Sequence, residues 1–364
     1  MCSTGYLKDN KYIIKRGKSI ICKGGQIIKK ALVPVISIFL LLGILSGLAS
    51  AWERGTHAFI AHKLKKASGP YDIEEMYGAM APDAFNYLFT PPYILYRDFL
   101  YDQTHHHFLK IQNAVKYGYE KASSYGFISH NNLWGADSTA HLASLTLLPD
   151  EGYVITKAKL LDEYLKSVSS DYYDLFKDHP AVALEVCHNI VEAAGDIVLV
   201  RYDRSLGAKI MQIDARPKTN MQNLMVRAYA KDLADFSQTT AAPMTYEEAE
   251  MFIRATENEF RTSCIAYGGL LQQDESIILE NVIEQFKELA RVYLTAVGLP
   301  VPDEALLQAL LQASFQAAIG LIENDYMPEI MATIDMLKRA MVKEVKPSVM
   351  ATRPAAALIK SKLH

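Results

Sequence analysis

The feature that most restricts this chain is the period of its apolar residues. Ten segments (55–67, 112–124, 131–146, 154–168, 180–200, 220–236, 245–262, 275–297, 303–323 and 326–344) carry apolar residues three and four apart. That spacing lays one stripe along a helix. No period-two run is long enough to force a sheet. Thr245 before Tyr-Glu-Glu and Pro302-Asp303-Glu304 are helix openings, because a short polar side chain there can accept the free N–H groups of the first turn. Ser68-Gly-Pro70, Pro91-Pro92, Leu299-Pro-Val-Pro302 and Lys346-Pro347 interrupt the pattern. The expectation is an all-α, multi-helix bundle. At 364 residues and 50% hydrophobic, the chain has the material for one large domain or two ordinary ones, and it is neither disordered nor a polytopic membrane protein.

The first 51 residues are of another kind. Eight Lys and Arg against the single acid Asp9 precede an uncharged apolar run, 31–48, and then Ala49-Ser50-Ala51. A basic flank, an apolar stretch and an A-x-A site make a signal peptide, with an uncleaved membrane anchor as the alternative. Either reading places the remainder outside the cytoplasm, secreted or tethered. Without 1–51 the chain loses eight of its 38 basic residues and one of its 41 acids, which leaves a net charge of −10. Such a chain lacks the clustered cations that grip a nucleic acid backbone. Cys2 and Cys22 leave with the leader. Cys187 and Cys264 have no spacing that demands a disulfide.

A weak joint around 215–219 or 239–243 separates a histidine-rich part, 52–239, from a C-terminal helical extension, 240–364. The Met-rich 327–341 and Gln-rich 307–316 read as amphipathic packing helices in that extension, with no second membrane span. All ten histidines follow residue 51, and nine lie between His57 and His188. Imidazole is a common metal ligand and carboxylates are its usual companions. Any one histidine alone is more often structural, as expected for His62 and His179, so the argument rests on spacing. Asp137-Ser-Thr-Ala-His141 and His188-Asn-Ile-Val-Glu192 each put two ligand types four apart, on one helix face. Two helices that offer such pairs inward are how helical bundles build carboxylate–histidine metal sites. Trp52-Glu-Arg-Gly-Thr-His57 places a histidine one turn after the expected leader boundary, where a free α-amino group can coordinate a metal. Met80-Ala-Pro-Asp83 adds a carboxylate. In Thr104-His-His-His107, an extended backbone would point His105 and His107 one way and His106 the other, so one or two reach a common metal.

Taken together, Trp52–His57, Pro82–Asp83, His107–Phe108, Asp137–His141 and His188–Glu192 resemble the zinc-dependent phospholipase C / S1–P1 nuclease superfamily, in particular its prokaryotic phospholipase C branch. The likeness covers roughly 52–200. It implies a secreted helical protein with up to three zinc ions that hydrolyses phosphodiesters, phospholipids above all, at a membrane surface, by attack of a zinc-bound hydroxide on phosphorus. It implies that Trp52 and His57 hold one zinc, that Asp83 and a histidine of the run (His107 ahead of His105) hold a second, that Asp137 bridges the two, and that His141, His188 and Glu192 hold the third. Asp83 and Asp137 are thereby the catalytic carboxylates, and Glu185 and Asp196 the candidates to receive a ligand histidine's ring N–H. One position departs from the pattern: Leu133 stands where the family has a histidine four residues before the bridging aspartate. His130, two turns before Asp137 on a continuous helix, is the substitute ligand. Ala84 replaces an aromatic residue of choline-preferring members, so no choline pocket is carried over. An S1/P1-like single-strand nuclease and a non-enzymatic helical surface protein with a degenerate zinc site are the alternatives.

Overall fold

The computed structural model describes residues 52–344 apart from 68, 70, 87, 89 and 90. The expected leader therefore lies outside the described residues, and the boundary after Ala51 falls at their edge. Among the described residues there are fifteen α-helices and no strand. They are α1 (Arg54–Leu64), α2 (Asp72–Met80), α3 (Ile94–His105), α4 (Lys110–Asn113), α5 (Gly118–His130), α6 (Ala136–His141), α7 (Tyr153–Val168), α8 (Ser170–Phe176), α9 (Pro180–Tyr202), α10 (Leu206–Met211), α11 (Thr219–Ser237), α12 (Tyr246–Leu270), α13 (Glu275–Ala296), α14 (Glu304–Ile322) and α15 (Tyr326–Glu344). Two 3₁₀ turns, Ala81–Phe85 and Gln212–Ala215, join the set. The all-α expectation holds.

The caps form as their residues dictate. The Thr245 hydroxyl accepts the Glu248 N–H while Glu248 reaches back to the Thr245 N–H, and Asp303 accepts from Leu306. Several stretches differ from the periodicity reading: the expected helix 112–124 is divided between α4 and α5, and α2, α3, α8 and α10 lie outside the ten expected segments. The expected helix 131–146 is instead a break and a short helix: α5 ends at His130, and the Asn131 carboxamide oxygen accepts the N–H groups of Leu133, Trp134 and Gly135 before α6 begins. Asn competes with the helix for backbone donors, so the apolar pattern runs on while the helix does not.

One hydrophobic core runs from Trp52 to Met341. The α9 helix is its axis, buried all round over most of its length, with α7, α14, α1 and α15 packed on it. The C-terminal helices are thus built into the same core as the histidine-rich part. Residues 305–322 of α14 form an 18-residue uncharged run, long and apolar enough to cross a membrane, which the sequence reading passed over. Here Leu307, Leu311, Phe315, Ala318 and Ile322 of that helix are buried within the protein. Cys187 and Cys264 are both buried and unpaired.

Candidate metal centre

The ends of several helices meet on one side of α9. The α1 helix brings in His57 on its second turn, and the 3₁₀ turn after α2 brings in Asp83. His105 is the last residue of α3 and His130 the last of α5. The short α6 carries Asp137 in its first turn and His141 in its last, and α9 contributes His188 and Glu192. The close approach of α2 and α5 sets part of this geometry. A Cβ on Gly126 would stand 2.6 Å from the Ala79 backbone nitrogen, and one on Gly78 would stand 2.8 Å from the Ser123 carbonyl carbon, so only glycine fits at either crossing position. This contact brings the Ala79 carbonyl within 2.8 Å of His130 Nδ1.

Three groups result, each with ligand atoms placed to hold a metal ion: His57, His130 and Asp137; Asp83, His105 and His130; His141, His188 and Glu192. His57 Nε2 lies 3.3 Å from Asp137 Oδ1. The other oxygen, Asp137 Oδ2, lies 3.1 Å from His130 Nε2 and 3.7 Å from His105 Nε2. Asp83 Oδ1 lies 3.5 Å from His105 Nε2 and 3.4 Å from His130 Nε2. Donors about 2.0–2.1 Å from one tetrahedral centre are about 3.3–3.4 Å apart, and these spacings scatter around that edge. Since one imidazole nitrogen binds one ion, His130 goes with His105, Asp83 and Asp137 Oδ2, and Asp137 Oδ1 turns to His57. The third group is tighter on one side: His188 Nε2 is 2.8 Å from Glu192 Oε1 and 3.0 Å from His141 Nε2.

Neutral rings alone do not account for this arrangement. A carbonyl oxygen only accepts, so His130 Nδ1 donates to Ala79 and His105 Nδ1 donates to the Tyr101 carbonyl at 3.1 Å. In neutral rings both Nε2 atoms then carry lone pairs, yet they face each other at 3.2 Å. Two lone pairs repel unless a proton or a metal ion stands between them. Glu192 Oε2 is buried without a hydrogen-bond partner, and His57 Nε2 and Asp137 Oδ1 are buried with only each other at 3.3 Å, a costly state that a coordinated ion removes. Burial acts to lower the pKa of His130, but Asp137 and Asp83 outweigh it and hold the ring well above the usual histidine value. Burial pulls His57 and His105 the other way, down. Burial also opposes charge on Asp83 and Asp137, but the neighbouring histidines dominate and hold both carboxyls below the ordinary range. His188, despite burial, is pushed up to about 10 by Glu192 and Glu185. Positive charge is thus favoured on His130 and His188 and disfavoured on His57 and His105.

The site opens beside the third group. A cleft of about 300 Å³ is lined by Arg97, Asp98, Tyr101, His141, Glu185 and His188. Arg97 is tethered through Nε to the Asn86 carbonyl, and Tyr101 stacks on the His105 ring at 4.0 Å.

Most residues named from sequence converge here, and the exceptions have physical reasons. His105 enters the cluster, whereas His107 lies outside it, exposed and 3.3 Å from Asp102 Oδ2, with His106 on the same carboxylate. The run is no extended strand: α3 continues through His105, so helical rotation turns only that ring inward. His130 reaches Asp137 across the Asn131 turn instead of along a helix. Leu133 sits in that turn, 63% exposed, so a ring at this position would face solvent. Trp52 is fully buried; its indole N–H donates to the Ala136 carbonyl at 2.9 Å, next to Asp137. Asp196 serves no ligand histidine. It accepts from the Gly55 N–H, the Thr56 hydroxyl and Tyr267, and so fixes the start of α1. Glu185 is near the His188 ring, 3.8 Å from Nδ1. His62 pairs with Asp72, away from the cluster. Sequence reasoning missed the two carbonyl acceptors, of Tyr101 and Ala79, because a backbone carbonyl has no sequence signature. The Gly78 and Gly126 crossing was the one available signal.

Comparison of the chain with models of known protein families, with curated proteins and with solved structures gives no match.

Proposed function

We propose that this chain is an extracytoplasmic, zinc-dependent phosphodiester hydrolase of the phospholipase C kind. The observation that carries the reading is the placement of Asp137, whose two oxygens face two different ligand groups while His141 of a third group lies on the same short helix. Adjoining ion positions that share a carboxylate suit chemistry at a phosphoryl centre, where attacking and leaving oxygens both need stabilisation. The nitrogen-rich donor set, with no Cys or Met, favours zinc over calcium or magnesium. Charge points the same way. The three groups contribute only three carboxylates, Asp83, Asp137 and Glu192, so a fully loaded site keeps net positive charge for an anionic substrate.

In a loaded site, zinc offsets the phosphate charge and lowers the pKa of a coordinated water toward 7. The chain's own side chains do the positioning. Asp137 ties α6 to both neighbouring groups. The Ala79 and Tyr101 carbonyls fix the His130 and His105 rings with Nε2 inward, and Glu185 stands by the ring of His188. Arg97, in the open cleft, supplies a fixed cation for a non-bridging phosphate oxygen. Cleavage after Ala51 would free the amine of Trp52, a residue whose indole is anchored to the Ala136 carbonyl next to Asp137. The resemblance of Trp52–His57, Asp83, Asp137–His141 and His188–Glu192 to the zinc-dependent phospholipase C superfamily supports this assignment.

The test is one purified sample assayed on phosphatidylcholine, phosphatidylinositol and single-stranded DNA, with its metal content measured alongside. Release of a phosphorylated head group by a sample holding two or more zinc ions per chain is the expected outcome. Cleavage of DNA alone transfers the site to a nuclease, and fewer than two zinc ions without turnover refutes the enzyme reading.

A further inference from the structure

The loop that follows His141 is inside out. Residues 142–149, Leu-Ala-Ser-Leu-Thr-Leu-Leu-Pro, contain no charge. Leu142, Leu145 and Leu148 are 58%, 43% and 56% exposed, while the polar groups of the loop turn inward. The fully buried Glu329 carboxylate of α15 accepts the N–H groups of Leu145 and Thr146, both at 2.8 Å, and the hydroxyls of Ser144 and Thr146 at 3.0 and 2.6 Å. Ser144 Oγ accepts the Leu147 N–H, and Leu147 packs against the core. A solvated loop would leave its backbone to water and bury its leucines. Here a buried anion satisfies the backbone and fixes three leucines outward.

We infer that this leucine loop is a membrane-docking element that seats the cleft on a zwitterionic lipid surface. Its position supports this: Leu142 directly follows His141, which lines the cleft. Leu133 is exposed at the other end of the same six-residue helix, about 9 Å long. Loops whose backbone is satisfied internally can enter the interfacial region without exposing peptide groups to lipid. Charge selects the surface. No Lys or Arg occurs between Lys121 and Lys157. Asp150 at the loop's end is exposed, as is Asp98, which lines the cleft with Glu185 and with Arg97, itself bound to the Asn86 carbonyl; Lys159 beyond the loop is paired with Glu151. An anionic bilayer therefore finds no unengaged cation beside the leucines, whatever charge the buried site carries. A zwitterionic one presents its cationic ammonium groups outermost, toward these acids.

The inference rests on the lipid reading for its purpose, but it is measured separately. Leu145→Cys, carrying an environment-sensitive fluorophore, is compared with labelled Leu148→Cys and with labelled Leu160→Cys, exposed on α7 outside this loop. Cys2 and Cys22 are replaced by serine in all three, and Cys187 and Cys264 are buried. Phosphatidylcholine vesicles should shift the emission to the blue at 145 and 148 and leave 160 unchanged, and phosphatidylglycerol vesicles should shift neither loop site. No shift at 145 and 148, an equal shift at 160, an equal response to anionic vesicles, or a shift that grows with protein concentration and needs no lipid each overturns the proposal; the last would make a second copy the occupant. In parallel the unlabelled protein is given a water-soluble nitrophenyl phosphodiester. Turnover with silent loop labels removes the docking element and leaves the hydrolase, whereas a lipid-dependent shift without turnover does the reverse.

Discussion

Gly126→Ala tests how a backbone contact governs the site. The new Cβ would fall well inside contact distance of the Glu75 carbonyl and 2.6 Å from the Ala79 nitrogen. Both are backbone atoms, so no rotamer change relieves the overlap and α2 must move away from α5. Alanine in a helix interior gains about 1 kcal/mol over glycine, whereas overpacking costs about 1–3 kcal/mol, here toward the upper end or beyond. The net loss is about 2 kcal/mol, which lowers Tm by roughly 4 °C in a domain of this size. The same displacement carries the Ala79 carbonyl away from His130 Nδ1 and frees the ring, and loss of such an orienting partner lowers metal affinity by about 10–100-fold. Gly320→Ala is the control: its Cβ meets nothing within 4 Å on α14, so only the helix gain remains, about 0.5–1 kcal/mol of added stability. Thermal unfolding in chelator gives the packing effect, and zinc titration gives the site effect. If Gly126→Ala unfolds no earlier than wild type, or loses stability while its zinc affinity is untouched, the crossing does not position His130 and the reasoning fails.

Asp137→Ala should abolish turnover and remove at least one metal per chain, by elemental analysis; full activity would refute the shared carboxylate. Leu133→His should leave metal content unchanged, because position 133 points to solvent; an added equivalent of zinc would show that the Asn131 turn rearranges on binding. Burial lifts the Glu257 carboxyl to about 7 from its ordinary 4.5. The folded chain therefore holds this proton more tightly than the unfolded one. The penalty from Glu257 is absent below pH 4.5, grows as pH rises toward 7 and is complete above it, about 3 kcal/mol in all. Glu257→Gln should flatten the fall in Tm between pH 5 and 8, and an unchanged slope would assign that proton elsewhere.

The helices and most of the cluster were legible because both rest on local rules. Apolar spacing gave the all-α class, and i,i+4 pairs gave Asp137 with His141 and His188 with Glu192. Where a ring's direction depends on where a helix stops, the sequence pattern was insufficient. Whether His105 or His107 turns inward is decided by α3 continuing through residue 105, and no cap residue in Thr104-His-His-His107 announces that end. His130 was found for a partly wrong reason. The proposed two-turn spacing requires a continuous helix, but the contact with Asp137 is made across a break that Asn131 stabilises through three backbone N–H groups.

The histidine distribution also invited a division at 239 that the packing does not make. Ligands mark where chemistry happens and carry no information about which helices share a core. The buried C-terminal side chains show the difference. Tyr326 bonds to Thr56 at 2.5 Å, one residue before His57, and Thr333 bonds to Thr139 at 2.9 Å, between Asp137 and His141. Glu329 holds the loop after His141. One helix, α15, thus touches two of the elements that carry ligands, α1 and α6. A six-residue helix such as α6 is too short to be stable alone, so its shape comes from its neighbours. It follows that the spacing of Asp137 from His141, visible in the sequence as a local motif, is maintained by residues nearly 200 positions away, and the histidine-free part of the chain belongs to the site's scaffold.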